Sequence, residues 1–422
     1  MTITADDAGS PLPSLAGAAW LDAPATRAVL DALATAGHPA RVVGGAVRNA
    51  LLGQPVADID IATPARPEQV VAAVERAGFS AIPTGIAHGT VTVVAHRQAL
   101  EVTTLRRDVS TDGRRATVAF TDDWALDASR RDFTINALYC DRDGRLYDPV
   151  GGWPDIEARR VRFIGVADER IAEDYLRILR FFRFHAAYAT GEPDAAAMTA
   201  CARGLAGVAQ LSAERIRAEL VKLLVAPGAL AAVGAMGDIG LLAFILGSAP
   251  RPGVLAAVVA AETALDAVPD AMLRLSGLAV AVADDLPRLA ARLRLATAER
   301  QALLILDDAL AASLAGTDER QSRRLVYALG AAASWRRAVA LLALSPAAQS
   351  EARTIAAVAT RWQPPRLPVG GADLLRRGLT PGPQVGVLLA KLEAWWVEND
   401  FPAAGQVEAR LAALLAGTVV TQ

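Results

Sequence analysis

The chain has 422 residues, 53% of them hydrophobic, and a formal net charge of −2. That length accommodates roughly two to four domains, and that hydrophobic fraction excludes disorder along most of the chain. The near-neutral balance excludes a protein coated in positive charge, although a local basic groove suffices to bind a nucleic acid.

The basic residues are almost all arginine, with Lys222 and Lys391 the only lysines. Genomic base composition explains such a bias without a functional cause, yet arginine also suits phosphate and base-edge contacts. Cys140 and Cys201 are too far apart in sequence for a metal-ligand spacing or a disulfide framework, which fits a reducing cytoplasm. The stretch from Met1 to Pro13 is polar and acidic, with no basic region leading into an apolar core, so no signal peptide is predicted. Apolar runs near Leu220–Val225 and Val254–Ala261 are too short or too interrupted to span a bilayer.

Residues 1–20 read as an N-terminal tail. From Leu21 to Tyr147 the pattern is mixed. Arg41–Val43 is a short apolar run that ends at Gly44-Gly45, and Ala46–Leu52 then reads as a helix stopped by Gly53 and Pro55. Asp58–Ala62 alternates polar and apolar, as a strand does. Pro67–Ala77 is amphipathic and helical in pattern, while Thr90–Val94 and Leu100–Leu105 carry the β-branched residues of strands. Asp112-Gly113, within the polar stretch from Arg106 to Ala119, marks a loop or hairpin turn. After Trp153 strand signals fade. Ala172–Ala187, Ala213–Leu224 and most of the chain beyond Pro227 are rich in Ala, Leu and Arg, which are strong helix formers. The predicted fold class is an α/β head over 21–153, then an all-α neck over 154–228, and an all-α body and tail over 229–422.

Asp58 and Asp60 lie two apart on the predicted strand, so both side chains point to one face. Like charges so placed call for a cation between them, and Mg²⁺ prefers hard oxygen ligands. An isolated Asp-x-Asp also fits a solvated surface pair. Gly44-Gly45 sits where a strand passes into a helix, which lets backbone amides approach an anion, and Arg48 falls one turn later, available for a phosphate. A simple tight turn with a solvated arginine fits the same residues. Glu101 is a candidate third carboxylate on a neighbouring strand, and His88 is either at the mouth of that site or structural.

Four segments in order carry a resemblance: Val43-Gly44-Gly45-Ala46-Val47-Arg48, then Asp58-Ile59-Asp60, then Arg130-Arg131-Asp132-Phe133-Thr134-Ile135-Asn136-Ala137, then Glu173-Asp174-Tyr175-Leu176-Arg177. Together they resemble the motifs of the class II CCA-adding enzymes and bacterial poly(A) polymerases, of the polymerase β nucleotidyltransferase superfamily. The matching stretch runs from about Arg41 to Leu224, and the turn at Gly378–Gly386 is a weaker match. One position departs from the pattern, with Asn49 where the family usually has aspartate.

The resemblance implies a polymerase β-like mixed sheet and addition of CMP and AMP, from CTP and ATP, to the 3′ end of tRNA. It implies two Mg²⁺ ions held by Asp58 and Asp60, which activate the 3′-hydroxyl and stabilise pyrophosphate. Gly44, Gly45 and Arg48 would hold the triphosphate. Arg131, Asp132 and Asn136 would contact the nucleotide sugar, with Asp132 accepting from a ribose 2′-hydroxyl. Asp174 and Arg177, at i and i+3 of a predicted helix, would read the base as an acceptor and a donor fork, against the alternative of an intrahelical ion pair worth roughly 0.2–0.5 kcal/mol. The segment from Arg107-Asp108 to Arg114-Arg115 resembles the family's flexible loop, which favours full CCA addition. The helical body would bind tRNA by shape and phosphate charge, with Arg320, Arg323, Arg324, Arg336 and Arg337 as candidates. Two rivals remain, a poly(A) polymerase and a catalytically inactive RNA- or nucleotide-binding protein on the same scaffold. A phosphohydrolase domain would need a His-Asp doublet, and none of His38, His88, His96 or His185 precedes an aspartate.

Overall fold

The computed structural model describes residues 12–112 and 115–419. The predicted tail up to residue 11 and the hairpin tip at Gly113-Arg114 lie outside the described residues. The chain divides into two compact units. One ends at Ser248 and takes in Arg292–Arg294, and the other comprises 249–291 and 295 onward. The head and neck expected from the sequence both fall in the first.

In the first unit a seven-stranded mixed sheet is built from β1 (Arg41–Val43), β2 (Asp60–Thr63), β3 (Ser80–Gly85), β4 (Thr90–Ala95), β5 (Gln98–Thr104), β8 (Tyr139–Cys140) and β9 (Leu146–Tyr147), in the order β3-β4-β5-β2-β1-β8-β9. Its one parallel pair is β2 with β5, and the other neighbours are antiparallel. A separate two-stranded hairpin joins β6 (Arg106–Asp112) to β7 (Arg115–Phe120), so of the two readings of the polar stretch, loop or hairpin turn, the structure has the hairpin.

Helices α1 (Pro24–Thr35) and α3 (Pro67–Arg76) pack on one side of β3–β5. Burial alternates along β4, with Val91, Val93 and Ala95 buried, and α1 and α3, which pack on β4, bury Val29, Leu33, Val70 and Val74. A second cluster combines Val43, Ala62, Leu105, Ala128, Tyr139 and Ile164. It takes in α4 (Trp124–Ser129), which Asp123 caps through two backbone amides. Short α2 (Gly45–Leu51) leads out of β1.

Past β9 the described residues hold helices only. Helix α5 (Trp153–Glu157) is followed by α6 (Ala167–Glu173), α7 (Leu176–Tyr188), α8 (Ala195–Gly204) and α9 (Ala213–Leu224). Helix α7 packs against α9 and buries Ile178, Phe181, Phe182 and Phe184. The single helix predicted over Ala172–Ala187 is in fact two, broken at Asp174-Tyr175. Asp174 is extended, with φ −157° and ψ 106°, and its Oδ1 accepts from the Leu176 amide at 3.1 Å. An aspartate that bonds the backbone two residues on competes with helix continuation, and that outweighs the propensity of its neighbours.

The second unit is helical throughout its described residues. One core gathers Leu273, Leu306, Val339, Leu341 and Ile355, and another gathers Leu374, Leu392, Trp396 and Leu411. Among the described residues no helix is long and apolar enough to cross a membrane.

Candidate active site

The sheet brings the predicted carboxylates to one place. Asp60 opens β2, opposite Val43 on β1 and opposite Glu101 on β5. Asp58 lies just before the strand rather than on it. Even so, Asp58 and Asp60 are exposed and Ile59 between them is buried, so the two acids share a face. Desolvation raises the Asp60 carboxyl above its ordinary value, and the charges of Glu101 and Asp58 add to this, while Arg131 opposes it. No ion pair or side-chain hydrogen bond among the described residues engages these three acids. Among the described residues no three His, Cys, Asp or Glu side chains converge into a ready metal cage. Mg²⁺ does not need one, because it commonly binds through one or two carboxylates and completes its shell with water and phosphate oxygens.

The glycine turn stands beside this face. Gly44 follows Val43 directly and has φ +74°, a conformation that disfavours any side chain. A Cβ there would lie 3.7 Å from Arg131 Nη1. Arg131 is fixed through Nη2, which donates to Asp127 Oδ2 at 3.0 Å, and its Nε is buried without a partner. Asp127 is 1% exposed and also accepts from Arg130 and, at 2.7 Å, from the Tyr139 hydroxyl. Burial alone would raise its carboxyl, but Arg131, Arg130 and Tyr139 hold it down at about 2.

Arg48 does not stand free for a phosphate. It is 7% exposed, and it donates to Asn136 Oδ1 at 2.5 Å, to Tyr188 Oη at 2.8 Å and, through Nε and Nη2, to Asn49 Oδ1. Its guanidinium also lies over the Tyr188 ring, 4.0 Å from the centroid. A guanidinium has five N–H groups, and these bonds leave one of them, on Nη1. Asp132 is similarly engaged. Oδ1 accepts from the Phe133 amide at 2.9 Å and from Asn136 Nδ2 at 3.0 Å, and Oδ2 takes both Nε (2.9 Å) and Nη2 of Arg180. Every lone-pair direction of that carboxylate carries a donor, so accepting from a ribose hydroxyl requires one of them to leave.

Asp174 and Arg177 are not on one helix face, because the break at 174-175 separates them. Asp174 Oδ2 accepts from Arg215 Nη2 on α9 at 2.6 Å. Arg177 donates to the Arg170 carbonyl at 2.7 Å and to the Glu173 carboxylate. Arg170 in turn donates to Glu173 and to the carbonyls of Arg130 and Arg131, so the predicted base reader is tied to the Arg131–Asp132 segment. Tyr175 fills the gap between the two helices and lies so close to Gly207 that a Cβ there would be 2.1 Å from its ring.

The sequence reading missed Asp127, Arg170, Arg180, Tyr188, Arg215 and Glu219 as members of this network, the last of which pairs with Arg183 and lies 3.7 Å from Arg180. Arg180 and Arg183 follow Arg177 at three-residue spacing, and that signal could have exposed them. His88 is exposed in a 3₁₀ turn, and its carbonyl accepts from Arg106. A cavity of 570 Å³ lined by Thr134, Phe163, Val166, Asp168, Asp194 and Arg203, among others, includes none of the predicted site residues. In the second unit Arg320 and Arg324 bond the Glu398 carbonyl, Arg323 pairs with Asp400 and Arg336 with Asp270, so these candidate arginines knit helices together. Arg337 is half-buried, and burial lowers its pKa.

Residues 40–162 match the family described as Poly A polymerase head domain, and residues 194–254 match the one described as Probable RNA and SrmB- binding site of polymerase A. The CCA tRNA nucleotidyltransferase 1, mitochondrial, of Danio rerio is 36% identical over 374 residues, covering 86% of this chain and 84% of its own. The human protein of the same name is 34% identical over 371 residues, with the same coverage. The chain belongs to the CCA-adding enzyme family. Among solved structures, the Bacillus stearothermophilus CCA-adding enzyme in complex with CTP matches with a TM-score of 0.71 at 27% identity, over 93% of this chain and 96% of that one. The Thermotoga maritima CCA-adding enzyme complexed with tRNA shares the fold, with a TM-score of 0.62 at 19% identity over 93% and 94%. Relative to the CCA-adding pattern, Asn49 is this chain's departure. Its Oδ1 accepts from Arg48, as a carboxylate would, and its Nδ2 donates to the Pro55 carbonyl at 2.9 Å, a bond an aspartate cannot make.

Proposed function

We propose that this chain adds CMP and AMP, from CTP and ATP, to the 3′ end of tRNA without a nucleic-acid template. The observation that carries the reading is a juxtaposition: Asp60 lies opposite Glu101 and opposite Val43, which leads into Gly44, Gly44 lies against Arg131, and Arg170 links the Arg131 backbone to the Glu173–Arg177 segment. Chemistry and base choice would thus be held in one frame.

Asp58 and Asp60 would hold two Mg²⁺, with Glu101 alongside. Bound metal supplies a lowered pKa at the 3′-hydroxyl and a counter-charge for departing pyrophosphate. Backbone amides at Gly44 and Gly45 would face the triphosphate with Arg131 and the last free N–H of Arg48. Asn136, held by Arg48 and Asp132, would orient the sugar. Asp174 would accept from the amino group of cytosine or adenine, and Arg177 would donate to adjacent ring acceptors. Uracil and guanine place a carbonyl where that amino group belongs and leave buried groups unpaired. The helical body would hold tRNA. Both cysteines are free and buried, which suits the reducing cytoplasm proposed for the chain.

The test is extension of tRNAs ending before CCA, after C and after CC, with each NTP supplied separately. Clean termination after one A supports the proposal. Long A tails would favour a poly(A) polymerase, and no extension an inactive scaffold. Replacing Asp58 and Asp60 with Ala should abolish extension, and retained extension would refute the metal assignment.

A further inference from the structure

The Asp174 carboxylate is restrained at both oxygens. Oδ1 accepts from the Leu176 amide at 3.1 Å and Oδ2 from Arg215 Nη2 at 2.6 Å. The first bond belongs to the helix break and is made by the segment's own backbone. The second comes from a different element, forty-one residues on, near the start of α9, where the Ser212 side chain caps the amide of Arg215 itself. Both partners are partly shielded, with side-chain exposures of 26% for Arg215 and 21% for Asp174. An ion pair of this kind does more for orientation than for stability, because a charged bond at one oxygen fixes the plane in which the other lone pairs lie.

We infer that Arg215 is the positioning residue that sets nucleotide specificity, by holding Asp174 as an oriented, acceptor-only carboxylate. This rests on the proposal that Asp174 reads the base. A carboxylate distinguishes an amino group from a carbonyl only while it is aimed. A carboxylate free to rotate turns away from a mismatched carbonyl at little cost. Arg215 closes that escape by fixing one oxygen. It leaves the remaining lone pairs of Asp174 for the base, and it touches neither the acid face nor the glycine turn.

The test is single-nucleotide extension kinetics with the full-length protein, with CTP against UTP on tRNA lacking CCA and ATP against GTP on tRNA ending in CC. Arg215→Gln is expected to lower the CTP:UTP ratio of kcat/KM roughly ten- to a hundredfold, with kcat/KM for UTP rising in absolute terms. General structural damage would lower both rates and leave the ratio intact, so a parallel fall overturns the inference. Arg215→Lys keeps the charge without the planar fork, and its ratio should lie between the two. If Arg215→Gln does not fold, a wild-type ratio in Arg215→Lys overturns the inference and an intermediate one supports it. Asp174→Ala separates the two levels. If it keeps full preference for CTP over UTP, the base-reading proposal fails and this inference with it. If it loses preference while Arg215→Gln keeps it, only the inference fails.

Discussion

Asp60 on β2 and Glu101 on β5 stand opposite each other in the sheet's one parallel pairing, so the acid proposed to bind metal has a like charge as its neighbour. The Asp60 pKa is raised, by desolvation first and by Glu101 next. A carboxyl whose folded pKa exceeds its unfolded one costs stability once pH rises through that window. Asp60→Asn should therefore abolish nucleotide addition while holding or raising the metal-free unfolding midpoint at neutral pH. Glu101→Gln should lower the Asp60 titration midpoint, followed by carboxyl NMR without metal.

Asp132 and Arg180 join the motif segment to α7 through a two-pronged bond. Removing the acid leaves a half-buried guanidinium, 31% exposed, with Glu219 at 3.7 Å as its other ion-pair partner. Asp132→Ala should cost on the order of 3 kcal/mol in urea unfolding, and Asp132→Asn less, since the amide still accepts one bond. Arg180→Leu combined with Asp132→Leu should recover part of the stability lost by Asp132→Ala, without activity.

Asp127 gives the fold an acid limit. Its carboxyl is held at about 2, below the ordinary 3.8. The stabilisation it contributes is complete above pH 4 and disappears as pH falls through 2, and its size at neutral pH is about 2 kcal/mol. Asp127→Asn should lower the thermal midpoint at pH 7, and the gap to wild type should close below pH 2.

The β6–β7 hairpin stands apart from the main sheet. If it is the loop that switches the site from C to A addition, replacing residues 107–115 with a short glycine turn should leave CC addition and suppress the final A. Gel analysis of products from tRNA lacking CCA distinguishes this from uniform loss.

Elements with strong local signals were legible in the sequence. Arg41–Val43 is β1, Ala213–Leu224 is α9, and β4 and β5 fall where β-branched residues alternate. β8 and β9, two residues each, were not marked, because so short a strand depends on its sheet partners more than on its own residues, and β3 was not marked because it carries Pro83, which argues against a strand. That Asp58 and Asp60 share a face was legible from their two-residue spacing, although Asp58 lies just outside β2. The state of the charged residues was not. Arg48 read as a free cation, and nothing in the sequence near it announces Asn136 or Tyr188, 88 and 140 residues away. The Asp174–Arg177 spacing implied a helical pair until the side-chain bond to Leu176 broke the helix. A long-range ion pair such as Arg215 with Asp174 leaves no periodic trace at all.

The absence of a side chain at Gly207 carries a consequence of its own. The Tyr175 ring occupies the space a methyl group would need, and Tyr175 is the single residue between Asp174 and the start of α7. An alanine at 207 would act as a wedge, levering the break open and turning the acid and the arginine by different amounts. If Asp174 and Arg177 read the base as proposed, a position with no charge would thus act as a mechanical setscrew for the selectivity of the pocket.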